Sequence, residues 1–142
     1  MDKRTASHAA GVAGTASQVR ADDPRRARRR VVQWASAFLR EHAAEGVRIA
    51  DVSRLAGVSE RALRNAFYRE HGLSPKQFDL RARLQGARRA LCDVDVARTV
   101  TTIASQFGFF ELGRFAAIYK RAFGESPSHT IKTHGAMMGR AS

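Results

Sequence analysis

The sequence predicts an all-α chain of about seven helices, in which a short helix, a tight turn and a second helix occur twice, once on each side of a long central helix. Three observations predict it. From Val31 onward, apolar residues recur at three- and four-residue spacing, as in helices that bury one stripe. Capping residues (Ser, Thr or Asp) precede several of these stretches and glycine follows them. Finally, Gly72-Leu73-Ser74-Pro75 recurs as Gly124-Glu125-Ser126-Pro127, an offset of 52 that also sets Leu63 against Phe115 and Phe67 against Tyr119.

Taken in order, residues 1–23 carry small and polar residues without apolar periodicity, and a disordered basic arm is expected there. Asp23-Pro24 is a helix cap followed by a first-turn proline. The helix it starts is expected to run to about Ala43, burying Val31, Val32, Trp34, Ala35, Phe38 and Leu39. Its first turns hold the run Arg25-Arg26-Ala27-Arg28-Arg29-Arg30 at the positive end of the helix dipole, which suits arginines that meet phosphate or solvent. Val47–Ala56 reads as a short helix, Gly57 and Val58 as a turn, and Ser59 as the cap of a helix buried along Leu63, Ala66 and Phe67. The small Ser53 allows the two helices to approach closely.

Ser74-Pro75-Lys76-Gln77 forms a capping box that opens the central helix, expected over Pro75–Leu91. Phe78, Ala82, Leu84, Ala87 and Leu91 face inward, and Gly86 costs about 1 kcal/mol against alanine. Residues 92–99 loop across. Thr101 or Thr102 then starts a short helix with Ile103, Ala104 and Phe107, Gly108 turns the chain, and Leu112, Phe115, Ile118 and Tyr119 form the stripe of the next helix. A short exit helix ends near 134, and residues 135–142 are expected to fray. The organisation expected is thus an arm (1–23), a first subdomain with the central helix (24–91), a second (92–134) and a tail (135–142).

The 142 residues exclude large catalytic scaffolds. Lys and Arg number 25 against 13 Asp and Glu, a formal charge of +12, of which +7 falls on residues 31–142; the body itself calls for a polyanionic partner. No stretch approaches the roughly 18 consecutive apolar residues of a membrane span, and Met1-Asp2-Lys3-Arg4 leads into no signal-peptide core. No membrane association and a cytoplasmic address are expected. The one cysteine, Cys92, suits a reducing compartment and reads as a small hydrophobe at the end of the central helix. The five histidines are too scattered for zinc, and no metal or cofactor is expected.

Helix-turn-helix units place their second helix in the DNA major groove. With Leu63 and Phe67 inward, the first such helix exposes Glu60, Arg61, Arg64, Asn65, Tyr68 and Arg69. Arg61 and Arg64 can bond bidentately to guanine and Asn65 to adenine, while Arg69 suits phosphate. The second exposes Glu111, Gly113, Arg114, Ala117, Lys120 and Arg121. Arg114 is its base-edge candidate, Ala116 and Ala117 offer van der Waals contact, and Lys120 and Arg121 suit phosphate.

Ile49, Leu55-Ala56-Gly57-Val58-Ser59, Leu63, Phe67, Gly72-Leu73-Ser74-Pro75, Phe78, Arg83, Ala87, Leu91, Ile103-Ala104, Phe107-Gly108-Phe109, Phe115, Tyr119-Lys120-Arg121 and Phe123-Gly124-Glu125-Ser126-Pro127 together resemble the DNA-binding domain of the AraC/XylS family of bacterial transcription regulators, over about residues 29–133. The resemblance implies seven helices, two helix-turn-helix units joined by the middle helix, and binding to successive major-groove segments. It further implies an activator of transcription that contacts RNA polymerase. It sets Arg61, Arg64 and Asn65 of the first unit, and Leu112, Gly113, Ala116 and Ala117 of the second, toward the groove. Arg28, Arg29, Ser59, Arg69, Lys120 and Arg121 complete the expected DNA contacts, as phosphate ligands. Asn65 and Ala117 stand where many members have arginine, and Phe110 where many have a capping serine, so the first unit is expected to supply most of the base readout. Members usually carry an effector or dimerisation domain before this one. A naturally short regulator, a fragment and a truncated product all fit, and the chain is expected to act on double-stranded DNA at the nucleoid as a monomer without a small-molecule effector of its own.

Other classes fit less well. Ser59, His71, Ser74 and Asp79 include catalytic residue types, but the serines precede helices as caps and no glycine-framed nucleophile turn surrounds them, so no enzyme is expected. RNA-binding signatures are missing, and Phe67, Phe107, Phe115 and Tyr119 fit helix cores. A mostly nonspecific DNA-binding or architectural protein remains an alternative, as does a sensor-less fragment with an interaction role.

Overall fold

Asp23, Ser59 and Ser74 start helices as expected, by satisfying backbone N–H groups that the first turn leaves unpaired. The computed structural model describes residues 23–93 and 99–141, the last seven by backbone alone, and among them forms seven helices and no strand: α1 Pro24–Glu41, α2 Ile49–Ala56, α3 Glu60–His71, α4 Pro75–Cys92, α5 Val100–Gln106, α6 Leu112–Phe123 and α7 Pro127–Ala141. The architecture is all-α, as the sequence predicts. Apart from Asp23, the arm lies outside the described residues, as do Asp95 and Arg98 of the loop after α4.

The Asp23 carboxylate accepts the Arg25 N–H at 3.0 Å, and Ser59 Oγ accepts the Ala62 N–H at 3.0 Å. At the start of α4 the capping box is reciprocal: Ser74 Oγ accepts the Gln77 N–H at 3.1 Å, and Gln77 Oε1 accepts the Ser74 N–H at 2.9 Å. Ser126 repeats the cap before α7, accepting the His129 N–H at 3.1 Å. The turns between α2 and α3 and between α5 and α6 need a left-handed residue, supplied by Gly57 (φ 76°) and Gly108 (φ 86°).

The chain falls into two units, one from residues up to His42 with Val47–Leu80, the other from Ala43–Gly46 with Arg81 onward. The division lies inside α4, whereas the sequence reading gave the whole central helix to the first subdomain. The reason is that the second half of α4 packs against later residues: Gly86 faces the Phe107 ring, and the Arg83 and Arg88 guanidinium groups lie 5.3 and 4.9 Å from the Phe109 and Phe123 ring centroids.

In the first unit α1 packs on α2 and α3. Val32, Ala35, Leu39, Val52, Leu63, Ala66, Phe67 and Phe78 form its core, with Trp34 and Phe38 half-buried at the margin. Burying a side chain such as Leu63 or Phe67 contributes about 1.5–3 kcal/mol. Phe67 meets Phe78 edge-on at 5.6 Å, and Arg40 lies over Phe78 at 5.0 Å. Ser53 is buried where α2 nears α3, its hydroxyl satisfied by the Ala50 carbonyl at 2.9 Å.

The second unit buries Leu84, Ala87, Leu91, Ile103, Ala104, Phe115 and Tyr119. Four aromatic rings follow one another in contact, Phe109 to Phe115 at 4.8 Å, Phe115 to Tyr119 at 5.6 Å and Tyr119 to Phe123 at 4.7 Å. The Tyr119 hydroxyl lies 2.8 Å from Thr130 Oγ1, and Thr130 in turn donates to the Glu125 carboxylate. With the threonine proton committed to Glu125, Tyr119 is the donor to Thr130. Burial pushes the Tyr119 hydroxyl pKa up from its usual value near 10.0.

Several expectations change. α1 ends at Glu41, and α2 begins at Ile49, two residues after the expected Val47. α5 is capped by Thr99, whose Oγ1 accepts the Thr102 N–H at 3.1 Å; of three closely spaced threonines, the first caps the helix. α7 continues to Ala141, past the short helix and frayed tail expected; Ala136, Met137, Met138, Arg140 and Ala141 favour helix, no proline interrupts them, and Gly135 and Gly139 do not end it. Leu112 is 42% exposed and not part of the buried stripe that its spacing predicts, because it is the first residue of α6 and only Phe115 and Tyr119 point fully inward; this agrees with the outward position that the family resemblance gives it. Gly86 is required by packing: a Cβ there would stand 2.5 Å from Phe107 Cε1.

Candidate nucleic-acid interface

Two facts of sequence position the first recognition surface. The stripe Leu63, Ala66 and Phe67 is buried, and Ser59 with Gly57 fixes where α3 begins. The rest of α3 is therefore turned outward. Glu60, Arg61, Arg64, Asn65, Tyr68 and Arg69 are all exposed. Arg61, Arg64 and Tyr68 share one face at helical spacing, and Asn65 lies one turn after Arg61. Guanidinium and carboxamide groups on this face match the hydrogen-bonding edges of guanine and adenine. Ser59 is exposed beside them, its hydroxyl already engaged as the cap.

The sequence reading missed the partner of the N-terminal arginines. Arg28 Nε lies 3.2 Å from Glu70 Oε2, and Arg29 Nε lies 4.0 Å from Glu70 Oε1. The side chain of Arg28 is only 24% exposed, against 64% for Arg29, so Arg29 has the guanidinium more open to an external anion. The signal that could have found this pair is Glu70 itself. It is an acid in the last turn of a helix, where the dipole disfavours negative charge and a neighbouring cation offsets the cost. Beside it a cleft of about 270 Å³ is lined by Arg29, Ser36, Arg40, Glu70 and His71 among others, with Ser36 Oγ and His71 Nε2 joined at 3.0 Å. It falls just below the roughly 300–1,000 Å³ of typical small-molecule pockets.

On α6 the buried pair Phe115 and Tyr119 turns Gly113, Arg114, Ala117, Lys120 and Arg121 outward, while Ala116 is half-buried. The N-cap is Glu111, not Phe110, and its side chain makes no capping hydrogen bond. Phe110, directly before it, is 80% exposed. The fold thus gathers Arg61, Arg64 and Asn65 on one helix, and Leu112, Gly113, Arg114, Ala116 and Ala117 on the other. Among the described residues, no three His, Cys, Asp or Glu side chains cluster as a metal site, and no helix is long and apolar enough to cross a membrane.

Tandem helix-turn-helix units, each with a buried aromatic on its second helix and a basic outer face, define a DNA-binding class. A helix-turn-helix domain family matches residues 52–133. The crystal structure of a probable AraC family transcriptional regulator from Rhodopseudomonas palustris CGA009 is 35% identical, with a TM-score of 0.69 over 74% of this chain and 97% of that one. The probable thc operon regulatory protein of Rhodococcus erythropolis is 38% identical over 112 residues, 78% of this chain and 34% of that protein. The XylDLEGF operon transcriptional activator of Pseudomonas putida is 38% identical over 104 residues, covering 72% and 31%. The chain spans about a third of the length of these two relatives. It belongs to the AraC/XylS family of helix-turn-helix DNA-binding domains, a family that is regulatory and not enzymatic.

Proposed function

We propose that the chain recognises double-stranded DNA sequence-selectively and regulates transcription as an activator that contacts RNA polymerase, with α3 supplying most base readout. The observation that carries this reading is the outer face of α3, where Arg61, Arg64 and Asn65 stand exposed on a helix whose opposite face is locked into the core. Arg61 and Arg64 read guanine edges and Asn65 an adenine, and Arg114 is the one hydrogen-bonding reader on α6. Arg29, Arg69, Lys120 and Arg121 hold phosphates, with Arg28 and Ser59 contributing to the same backbone contacts. The P. putida relative's name as an operon activator supports the direction of regulation. The protein acts at the nucleoid in the cytoplasm, binds an asymmetric site as a monomer through its two unlike recognition helices, and takes no small-molecule effector in this chain.

Selection of bound sequences from a randomised duplex pool tests the reading. One asymmetric motif is expected, and Arg61→Ala or Arg64→Ala should weaken binding to it by about 1–3 kcal/mol while leaving random DNA nearly unaffected. Recovery of no motif, with equal losses on all DNA, would assign the +12 chain to nonspecific coating instead.

A further inference from the structure

The two recognition helices present opposite chemistries at equivalent positions. The 52-residue offset sets Leu112, Gly113, Ala116 and Ala117 where the first unit has Glu60, Arg61, Arg64 and Asn65. None of these four side chains can donate or accept a hydrogen bond. Leu112 is 42% exposed, and Phe110, two residues before it, is 80% exposed. An apolar surface therefore stands where the other copy is polar and charged.

Gly113 adds an independent observation. A Cβ at this position would meet nothing within 4 Å, and its backbone is not in the left-handed region, so neither packing nor conformation calls for glycine. A glycine in a helix costs up to about 1 kcal/mol against alanine, the full amount in the interior and less in the first turn, where Gly113 stands. Where nothing inside the chain offsets that cost, a bare backbone serves close approach by something outside it. The charges nearby identify the visitor. Arg114, Lys120 and Arg121 are exposed on the same helix, against the single acid Glu111 at its start. Cations around an apolar surface fit a polyanion that carries apolar groups, and the apolar feature of the DNA major groove is the thymine 5-methyl group.

We propose that α6 is a methyl reader. Leu112, Ala116 and Ala117, with Phe110 beside them and the Gly113 backbone approaching closely, recognise thymines through their 5-methyl groups, while Lys120 and Arg121 hold the flanking strand and Arg114 bonds a neighbouring base edge. This rests on the reading that the chain binds DNA, and the experiment separates the two. With the full chain and a duplex recovered by selection, each thymine is replaced in turn by deoxyuridine, which deletes only the methyl group. Loss of one buried methyl should weaken binding about fourfold. Leu112→Ser should weaken binding to the thymine duplex and erase the deoxyuridine penalty at the thymine it touches. Gly113→Ala should weaken binding although it favours the helix, an effect that a purely structural role would reverse. Thermal melting of each variant checks that these exposed substitutions leave the fold intact. Deoxyuridine penalties below about 1.5-fold at every thymine, or penalties that Leu112→Ser leaves unchanged, overturn the proposal. If Arg61→Ala still weakens binding in that case, DNA recognition by α3 stands without it. A duplex insensitive to deoxyuridine, together with a dimer that Phe110→Ser converts to monomer, would make the patch a contact between two copies and equally overturn the proposal.

Discussion

Replacing Gly86 by alanine should destabilise the second unit, although alanine is the better helix former. Two terms oppose each other. The exchange gains about 1 kcal/mol of helix propensity. Against it, the new methyl would lie 2.5 Å from Phe107 Cε1, 3.1 Å from Cδ1 and 3.2 Å from Cζ. Carbon atoms in good contact stand about 3.5–4.0 Å apart, so the ring must withdraw by about 1 Å. The Phe107 main chain is held by the Ala104 and Ile103 carbonyls at 3.1 and 3.3 Å at the end of α5, so the ring can withdraw only by turning about its own side-chain bonds, away from the packing it has now. Overpacking of this kind costs about 1–3 kcal/mol. The net expectation is a loss of up to about 2 kcal/mol, each kcal/mol lowering the melting temperature by about 4–8 °C for a unit of this size. Thermal unfolding followed by circular dichroism measures it. In a Phe107→Ala background the obstruction is gone, and Gly86→Ala should then stabilise by about 1 kcal/mol. A higher melting temperature for Gly86→Ala alone, or an equal loss in both backgrounds, refutes the packing argument. Because Phe107 leads into the turn before α6, the same substitution should also weaken DNA binding through the second recognition helix.

Ser59→Ala removes the side-chain cap of α3 and should cost about 0.5–2 kcal/mol in urea unfolding; no change in the midpoint would show that the cap hydrogen bond contributes nothing. Lys120→Ala and Arg121→Ala should lower affinity alike on selected and random duplexes and reduce the slope of log K against log salt by about 0.9 each, as read by titration at several salt concentrations. Burial raises the pKa of Tyr119, so above pH 10 the unfolded chain releases this proton before the folded chain does, and stability falls as pH rises. Tyr119→Phe should flatten this decline above pH 10, relative to the parent chain, in urea melts at each pH. Parallel declines in the two proteins would place the effect on other groups.

The helices were legible because their signals are local. Ser59, Ser74 and Ser126 each cap the helix they precede, and Gly57 and Gly108 adopt the left-handed turns that their positions imply. The outer face of α3 follows from the same periodicity, since burying Leu63 and Phe67 leaves only one side for Arg61, Arg64 and Asn65. What depended on distant contacts was not legible. Nothing near Gly86 in sequence announces Phe107, and nothing near Arg28 announces Glu70, 42 residues away. Leu112 shows where spacing runs out: an apolar residue in the first turn fits a buried stripe by spacing alone, whereas the family resemblance sets it toward the groove, and the start of α6 at that residue leaves it exposed.

The internal repeat separates constraints that arise inside the chain from those imposed outside it. In the first unit the Phe67 ring meets Phe78 edge-on at 5.6 Å. Fifty-two residues later the pair is Tyr119 and Thr130. A threonine cannot supply the second ring, but its hydroxyl, already donating to the Glu125 carboxylate, offers a lone pair to the buried Tyr119 hydroxyl at 2.8 Å, so a polar contact stands where the first unit has a ring contact. One change in the core is matched by another, and the repeat keeps its fold. The surface changes have no such counterpart. Arg61 becomes Gly113 with open space around it, and Arg64 and Asn65 become alanines on a helix whose buried aromatics still occupy the same register. Divergence that the fold does not compensate reflects what the helix meets in its partner. On the reading proposed above, the two recognition helices share a scaffold but meet different stretches of DNA, α3 mainly through hydrogen bonds and α6 mainly through shape and apolar contact.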